Sequence, residues 1–86
     1  MTTPDQPDID LPSAVLYDVF RDTATALSAE YVHRSDHAPT VAEGQQWWDK
    51  ALRLRDTAAA ADPDDRDALL AAIHEWRIET TFLRDD

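Results

Sequence analysis

Cysteine is absent from this chain, and glycine occurs once in 86 residues. Without cysteine there is neither a disulfide framework nor a thiolate zinc site, so a reducing compartment, the cytoplasm, is the expected location. A single glycine is too few for the turns and bulges of most β-architectures, and it cannot build a phosphate-binding loop or a nucleophile elbow. These absences favour a helical fold and disfavour nucleotide-binding and serine-hydrolase chemistry.

Long apolar runs and basic residues are also scarce. No apolar run approaches the roughly 20 residues that a membrane span needs, and the N-terminal MTTPDQPDID has neither the basic residue nor the apolar stretch of a secretory signal. Eight Lys and Arg residues face 18 Asp and Glu residues, which gives a formal net charge of −10. That balance disfavours contact with nucleic acid backbones or anionic lipid. We therefore expect a cytoplasmic protein that binds neither nucleic acid nor a membrane.

Most of the excess negative charge lies outside the predicted helices. Seven of the ten excess charges belong to the N-terminal segment, the loops and the last two residues, where they serve solubility and helix starts. A DNA mimic would carry regular rows of carboxylates on rigid helix faces. Only the pairs Asp18/Asp22 and Glu75/Glu79 resemble such rows. An acidic DNA-mimic-type inhibitor of a nucleic-acid-binding protein is therefore an alternative rather than the main hypothesis.

Apolar periodicity predicts three helices in one domain of residues 11–86, after a disordered acidic tail of residues 1–10. The predicted helices span about 12–34, 41–60 and 63–84. Because short connections place neighbouring helices antiparallel, the expected fold is all-α, an antiparallel up-down-up three-helix bundle. A helical hairpin that completes its core by dimerising is the main rival.

Each predicted helix has a start signal. Asp10 or Ser13 is placed to cap the first helix. Thr40 and Glu43 form a T-x-x-E capping box before the second. The segment Asp62-Pro63-Asp64-Asp65 offers an Asp cap followed by proline at the first helical position of the third.

Apolar stripes at i, i+3, i+4 spacing predict the core. The second helix carries two neighbouring stripes, one through Trp47 and Leu54 and the other through Trp48 and Leu52. Since consecutive side chains diverge by about 100° on a helix, one tryptophan is expected in the core and the other at its edge. The stripes of the first and third helices are Val15, Leu16, Val19, Phe20, Ala24, Leu27 and Tyr31, and Leu69, Ala72, Ile73, Trp76, Thr80 and Leu83.

Apolar residues outside these stripes point to protein binding. Ala71, Ile78 and Phe82 group on the opposite side of the third helix, where they contact either a skewed first helix or a partner. Arg55 lies between the two stripes of the second helix and either marks an interface or stacks on Trp48. We predict a small non-catalytic protein-binding module, an adaptor, inhibitor or accessory subunit, which binds a protein partner or itself as a homodimer. The predicted contact residues are Trp48, Arg55, Ile78 and Phe82.

No catalytic, cofactor or metal site is predicted. His33, Asp36 and His37 have metal-ligand chemistry, but Pro39 indicates that the first helix ends between the histidines, and the sequence offers no third strong ligand. None of the serines has the sequence context of a nucleophile. A small helical enzyme subunit is the last alternative.

Overall fold

The computed structural model describes residues 11–85, so the predicted tail over residues 1–10 and Asp86 lie outside the described residues. The described part contains three helices and no strand: α1 (Ser13–Asp36), α2 (Val41–Ala60) and α3 (Arg66–Arg84). The predicted all-α fold with three helices is therefore confirmed. None of the helices in residues 11–85 has both the length and the apolar character that crossing a membrane requires.

Both ends of α1 differ slightly from the prediction. Pro12 is the N-cap, its carbonyl accepts from the Leu16 amide at 2.9 Å, and no side chain caps the helix. Ser13 is the first helical residue, so its predicted role as a cap is wrong, and the other candidate, Asp10, lies outside the described residues. The helix continues two residues beyond the predicted end at residue 34. Its last residue is Asp36 and His37 is the C-cap, so the helix ends before Ala38, where the following Pro39 disfavours helical backbone.

The side-chain cap that Thr40 provides in the predicted capping box of α2 is confirmed. Thr40 has extended backbone angles, and its Oγ1 accepts from the Glu43 amide at 3.1 Å. One of the amides that the first helical turn leaves without a partner is thereby satisfied. The predicted bounds 41–60 are confirmed.

Replacing Thr40 with alanine is expected to lower the free energy of unfolding by about 1 kcal/mol, because the Glu43 amide loses its acceptor. Urea denaturation followed by far-UV circular dichroism measures this change. Thr40→Ser keeps the hydroxyl and is expected to stay close to wild type. Equal losses in the two variants would assign the effect to the missing methyl group rather than to the cap.

The third helix begins three residues later than predicted. The Asp62 carboxylate accepts from the Asp64 amide at 2.9 Å, and the Asp62 carbonyl accepts from the Asp65 amide at 3.1 Å. These bonds close a turn around Pro63, whose fixed φ angle suits such a turn as well as a helix start. Asp65, rather than Asp62, caps α3, with its Oδ1 accepting from the Ala68 amide at 3.2 Å.

Helix α1 is the centre of the packing. It contacts both other helices extensively, whereas α2 and α3 make few direct contacts. The core falls into two clusters along α1: the buried residues of the first come from α1 and α3, and those of the second come from all three helices. The buried members are Leu16, Phe20, Leu69 and Ile73 in the first cluster, and Leu27, Tyr31, Ala51, Leu54 and Leu83 in the second. The half-buried ring of Trp76 packs against both clusters and joins them.

Polar contacts at the two ends show that α1 and α3 run in the same direction. The Arg66 guanidinium lies 3.5 Å from the Ser13 hydroxyl near the start of both helices. The Arg34 guanidinium donates to the Leu83 carbonyl at 2.9 Å near their ends. This direction is compatible with the predicted up-down-up order.

The single glycine lies where the end of α1 meets the start of α2. Gly44 is buried, and a Cβ at this position would lie 3.1 Å from the Ser35 carbonyl oxygen and 3.6 Å from the Ala38 Cβ. The Ser35 hydroxyl donates to the Gly44 carbonyl at 2.8 Å across the same contact. The absence of a side chain thus allows the two helices to approach closely.

Candidate partner-binding surfaces

The outward face of α3 carries an exposed apolar stripe. Ile78 is 59% exposed and Phe82 is 71% exposed, and Ala71 is exposed two turns earlier. The other side of the helix is buried through Leu69, Ile73, Thr80 and Leu83. Helix α1 therefore does not cover this face, and we call Ala71, Ile78 and Phe82 the α3 stripe. Ile78 and Phe82 line a depression together with Glu75, Trp76 and Glu79.

The adjacent tryptophans of α2 have the two different environments that were expected. Trp47 is half-buried, belongs to the second core cluster and lies 6.0 Å from the Tyr31 ring, centroid to centroid. Trp48 is 44% exposed. It lines a depression beside the loop between α1 and α2, next to Pro39 and Val41. Trp47 therefore faces the core and Trp48 lies at its edge.

Arg55 lines an open groove of about 880 Å³ between α1 and α2. Arg21 of α1 also lines this groove. Small side chains form about half of the lining: Ala24, Thr25, Ser28, Ala29, Ala58 and Ala59. The remaining lining residues are Tyr17, Val32, His33, Asp36 and Leu54. We call this feature the α1–α2 groove. Lys50 and Arg34 lie over aromatic rings in the described part of the chain, but Arg55 does not, so the alternative in which it stacks on Trp48 is not supported.

The two arginines of the groove differ from others in the chain. The Arg84 guanidinium pairs with Glu30 at 3.3 Å, and the Arg34 guanidinium donates to a backbone carbonyl. Within residues 11–85, the Arg21 and Arg55 side chains make neither a hydrogen bond nor an ion pair. Such arginines are unexpected in a chain with 18 acidic residues. The groove therefore offers two guanidinium groups for a carboxylate from outside the described residues.

A hydrogen bond links α1 to α3 beside the stripe. The Tyr31 hydroxyl donates to Oε2 of Glu79 at 2.5 Å. Burial is the main cause that raises the pKa of the Tyr31 hydroxyl above its usual range, and the bond to Glu79 and the charge of its carboxylate raise it further. Glu79 is thus half-buried and engaged, while Glu75 is exposed. Of the Glu75/Glu79 pair that resembled a row of carboxylates, only Glu75 is therefore fully exposed, and this weakens the DNA-mimic alternative.

The two histidines near the end of α1 share one face of the helix. The His33 and His37 rings lie 4.3 Å apart, centroid to centroid, and Nδ1 of His37 donates to the His33 carbonyl at 2.8 Å. The helix ends between them, as expected, because its last residue is Asp36 and His37 is the C-cap. The described residues contain no group of three His, Asp or Glu side chains placed to hold a metal ion.

The four predicted contact residues form no single site. Ile78 and Phe82 lie together, whereas Trp48 and Arg55 line two different depressions of α2. Sequence reasoning missed Arg21, which lies outside the predicted apolar stripe of the first helix, among Asp18, Asp22 and Thr25. The sequence did indicate that Arg55 has no ion-pair partner on its own helix. The positions three and four residues away on both sides hold no carboxylate but Ala51, Leu52, Ala58 and Ala59. Arg21 gave no such signal, because Asp18 lies three residues before it.

No family model, curated protein or solved structure matches this chain. The surfaces described above are therefore the basis on which a function is proposed.

Proposed function

We propose that this chain is a small non-catalytic protein-binding module, an adaptor, inhibitor or accessory subunit, whose main contact surface is the α3 stripe. One observation carries the proposal: Ile78 and Phe82 are exposed one turn apart, on the face of α3 opposite its buried residues. Single exposed apolar residues are ordinary, but a grouped large pair is less so and is typical of a contact surface. Full burial of each such side chain contributes about 1.5–3 kcal/mol.

The fold does not depend on these two side chains. Helix α3 is anchored through Leu69, Ile73 and Leu83, which belong to the two core clusters. Glu75 and Glu79 lie beside Ile78 and Phe82 in the same depression, as the polar rim of an interface surrounds its apolar centre. The stripe is thus available to a partner without any rearrangement of the core.

Replacing Phe82 with aspartate is expected to abolish partner capture while leaving the fold intact. A charge in the contact would be desolvated without a partner, whereas in the free chain residue 82 faces water. Tagged wild-type and Phe82→Asp chains are incubated with extract of the source organism, and bound proteins, including further copies of this chain, are quantified by mass spectrometry.

Val41→Asp is the matched control, because Val41 is an apolar residue of α2 that is 91% exposed and lies outside the stripe. It is expected to capture the same proteins as wild type, and both variants are expected to unfold within about 0.5 kcal/mol of wild type. Undiminished capture by a folded Phe82→Asp chain would contradict the proposed function.

A further inference from the structure

We propose that the α1–α2 groove receives the α3 stripe of a second copy of this chain. The inference rests on the proposed function, because it uses the same stripe and names its occupant. It joins two of the surfaces that the described fold leaves open, and the two are complementary in side-chain size and in charge.

The sizes of the side chains on the two surfaces are complementary. Six of the thirteen residues that line the groove are alanine, serine or threonine, whose small side chains leave space between α1 and α2 for a third helix. Ile78 and Phe82 extend outward from α3 and are bulky enough to occupy part of that space. A helix that lays its apolar face in a groove between two helices is a recurrent mode of protein recognition.

The charges are complementary as well. Arg21 and Arg55 line the groove without a partner in residues 11–85, and they outnumber the one carboxylate among its lining residues, Asp36. Glu75 lies beside the stripe, exposed, and Glu79 follows it one turn later with a second carboxylate oxygen that the bond from Tyr31 does not use. Two copies of a chain with net charge −10 repel each other unless opposite charges meet at the contact. Seating the stripe in the groove brings these carboxylates toward the guanidinium groups.

Antiparallel pairing of the stripe with itself is a less favourable arrangement. In an antiparallel pair of α3 helices, each flank faces the same flank of the other copy. Glu75 and Glu79 would then lie opposite the same two residues of the second copy, and like charges across an interface oppose association. The charges therefore favour an interface between two different surfaces, in which one copy supplies the stripe and the other the groove.

Such an interface predicts that two defective variants complement each other. Ile78→Asp/Phe82→Asp removes the stripe and keeps the groove, and Arg21→Glu/Arg55→Glu removes the charges of the groove and keeps the stripe. Sedimentation velocity over a concentration series is the measurement. Wild type is expected to grow in mass with concentration, less so as salt is raised. Each variant alone is expected to stay at the 9.7 kDa of one chain, and an equimolar mixture is expected to give a species of twice that mass.

Circular dichroism of each variant confirms that it is folded, and Ile78→Ser/Phe82→Ser and Arg21→Ala/Arg55→Ala replace any variant that is not. A mixture that stays monomeric would overturn the inference, as would a wild-type chain that is monomeric at every concentration. Association that the stripe variant abolishes and the groove variant retains would also overturn it, in favour of stripe-to-stripe pairing. A monomeric wild type that still captures another protein through Phe82 would refute the inference and leave the proposed function standing.

Discussion

Replacing Phe20 with alanine is expected to lower the free energy of unfolding by about 3–5 kcal/mol. Phe20 is 2% exposed and lies between the rings of Tyr17 and Trp76, with centroid distances of 5.9 and 5.1 Å. Its removal leaves a cavity in the first core cluster, where α1 packs on α3. Since domains of this kind are stable by about 5–15 kcal/mol in total, the loss is a large share of the whole.

Phe82→Ala provides the matched control, because it makes the same chemical change at an exposed position. We expect its effect to stay within about 0.5 kcal/mol. Urea denaturation of the two variants and wild type, followed by far-UV circular dichroism, measures both effects. A loss at Phe82 as large as that at Phe20 would contradict the description of the α3 stripe as surface.

Replacing Tyr31 with phenylalanine is expected to lower the free energy of unfolding at neutral pH by about 1.5–3 kcal/mol. The change removes the hydroxyl that donates to Glu79 and leaves a charged, half-buried carboxylate without this donor. Helices α1 and α3 lose a direct link near their C-terminal ends. The double variant Tyr31→Phe/Glu79→Gln separates the cost of the lost hydrogen bond from the cost of leaving a charged group without a donor. A neutral amide is less costly to leave without a donor, so the double variant is expected to recover part of the lost free energy of unfolding.

The same hydroxyl gives the stability a dependence on alkaline pH. The pKa of Tyr31 is raised in the folded chain, so the unfolded chain ionises first, from about pH 10. The stabilising contribution of this group is complete below that pH and is lost as pH rises toward the folded-state pKa. Wild type is therefore expected to lose stability above pH 10 more steeply than Tyr31→Phe. Parallel pH profiles for the two chains would show that the hydroxyl is not buried against Glu79 in solution.

The sequence allowed the helices and most of the core to be predicted where local signals and packing agree. The Thr40 cap and the bounds of α2 followed from a side chain that bonds three residues along the chain. The start of α3 could not be predicted in this way, because Asp62 and Asp65 are both good caps and only the observed hydrogen bonds decide between them. Gly44 also escaped prediction, since the approach of the Ser35 carbonyl is a contact between two helices.

In the candidate surfaces, too, features of a single helix could be predicted and features that depend on helix packing could not. The position of Ile78 and Phe82 opposite the buried residues of α3 could be predicted, because it is a property of one helix. Their exposure could not, because the sequence left open whether a skewed α1 covers them. The α1–α2 groove could not be predicted, because it depends on how two helices pack and on α3 leaving that side of α1 open. Arg21 therefore looked like an ordinary polar-face residue until its position beside Arg55 in the groove was known.

The most direct test of the central claim, that the α3 stripe binds protein, is hydroxyl-radical footprinting of the chain alone and in the complex isolated by capture. Phe82 and Ile78 are exposed in the chain alone, and Val41, 91% exposed on α2, is the internal reference. We expect oxidation of Phe82 and Ile78 to slow several-fold in the complex, while oxidation of Val41 stays unchanged. Equal oxidation rates of Phe82 in the two samples would contradict the account.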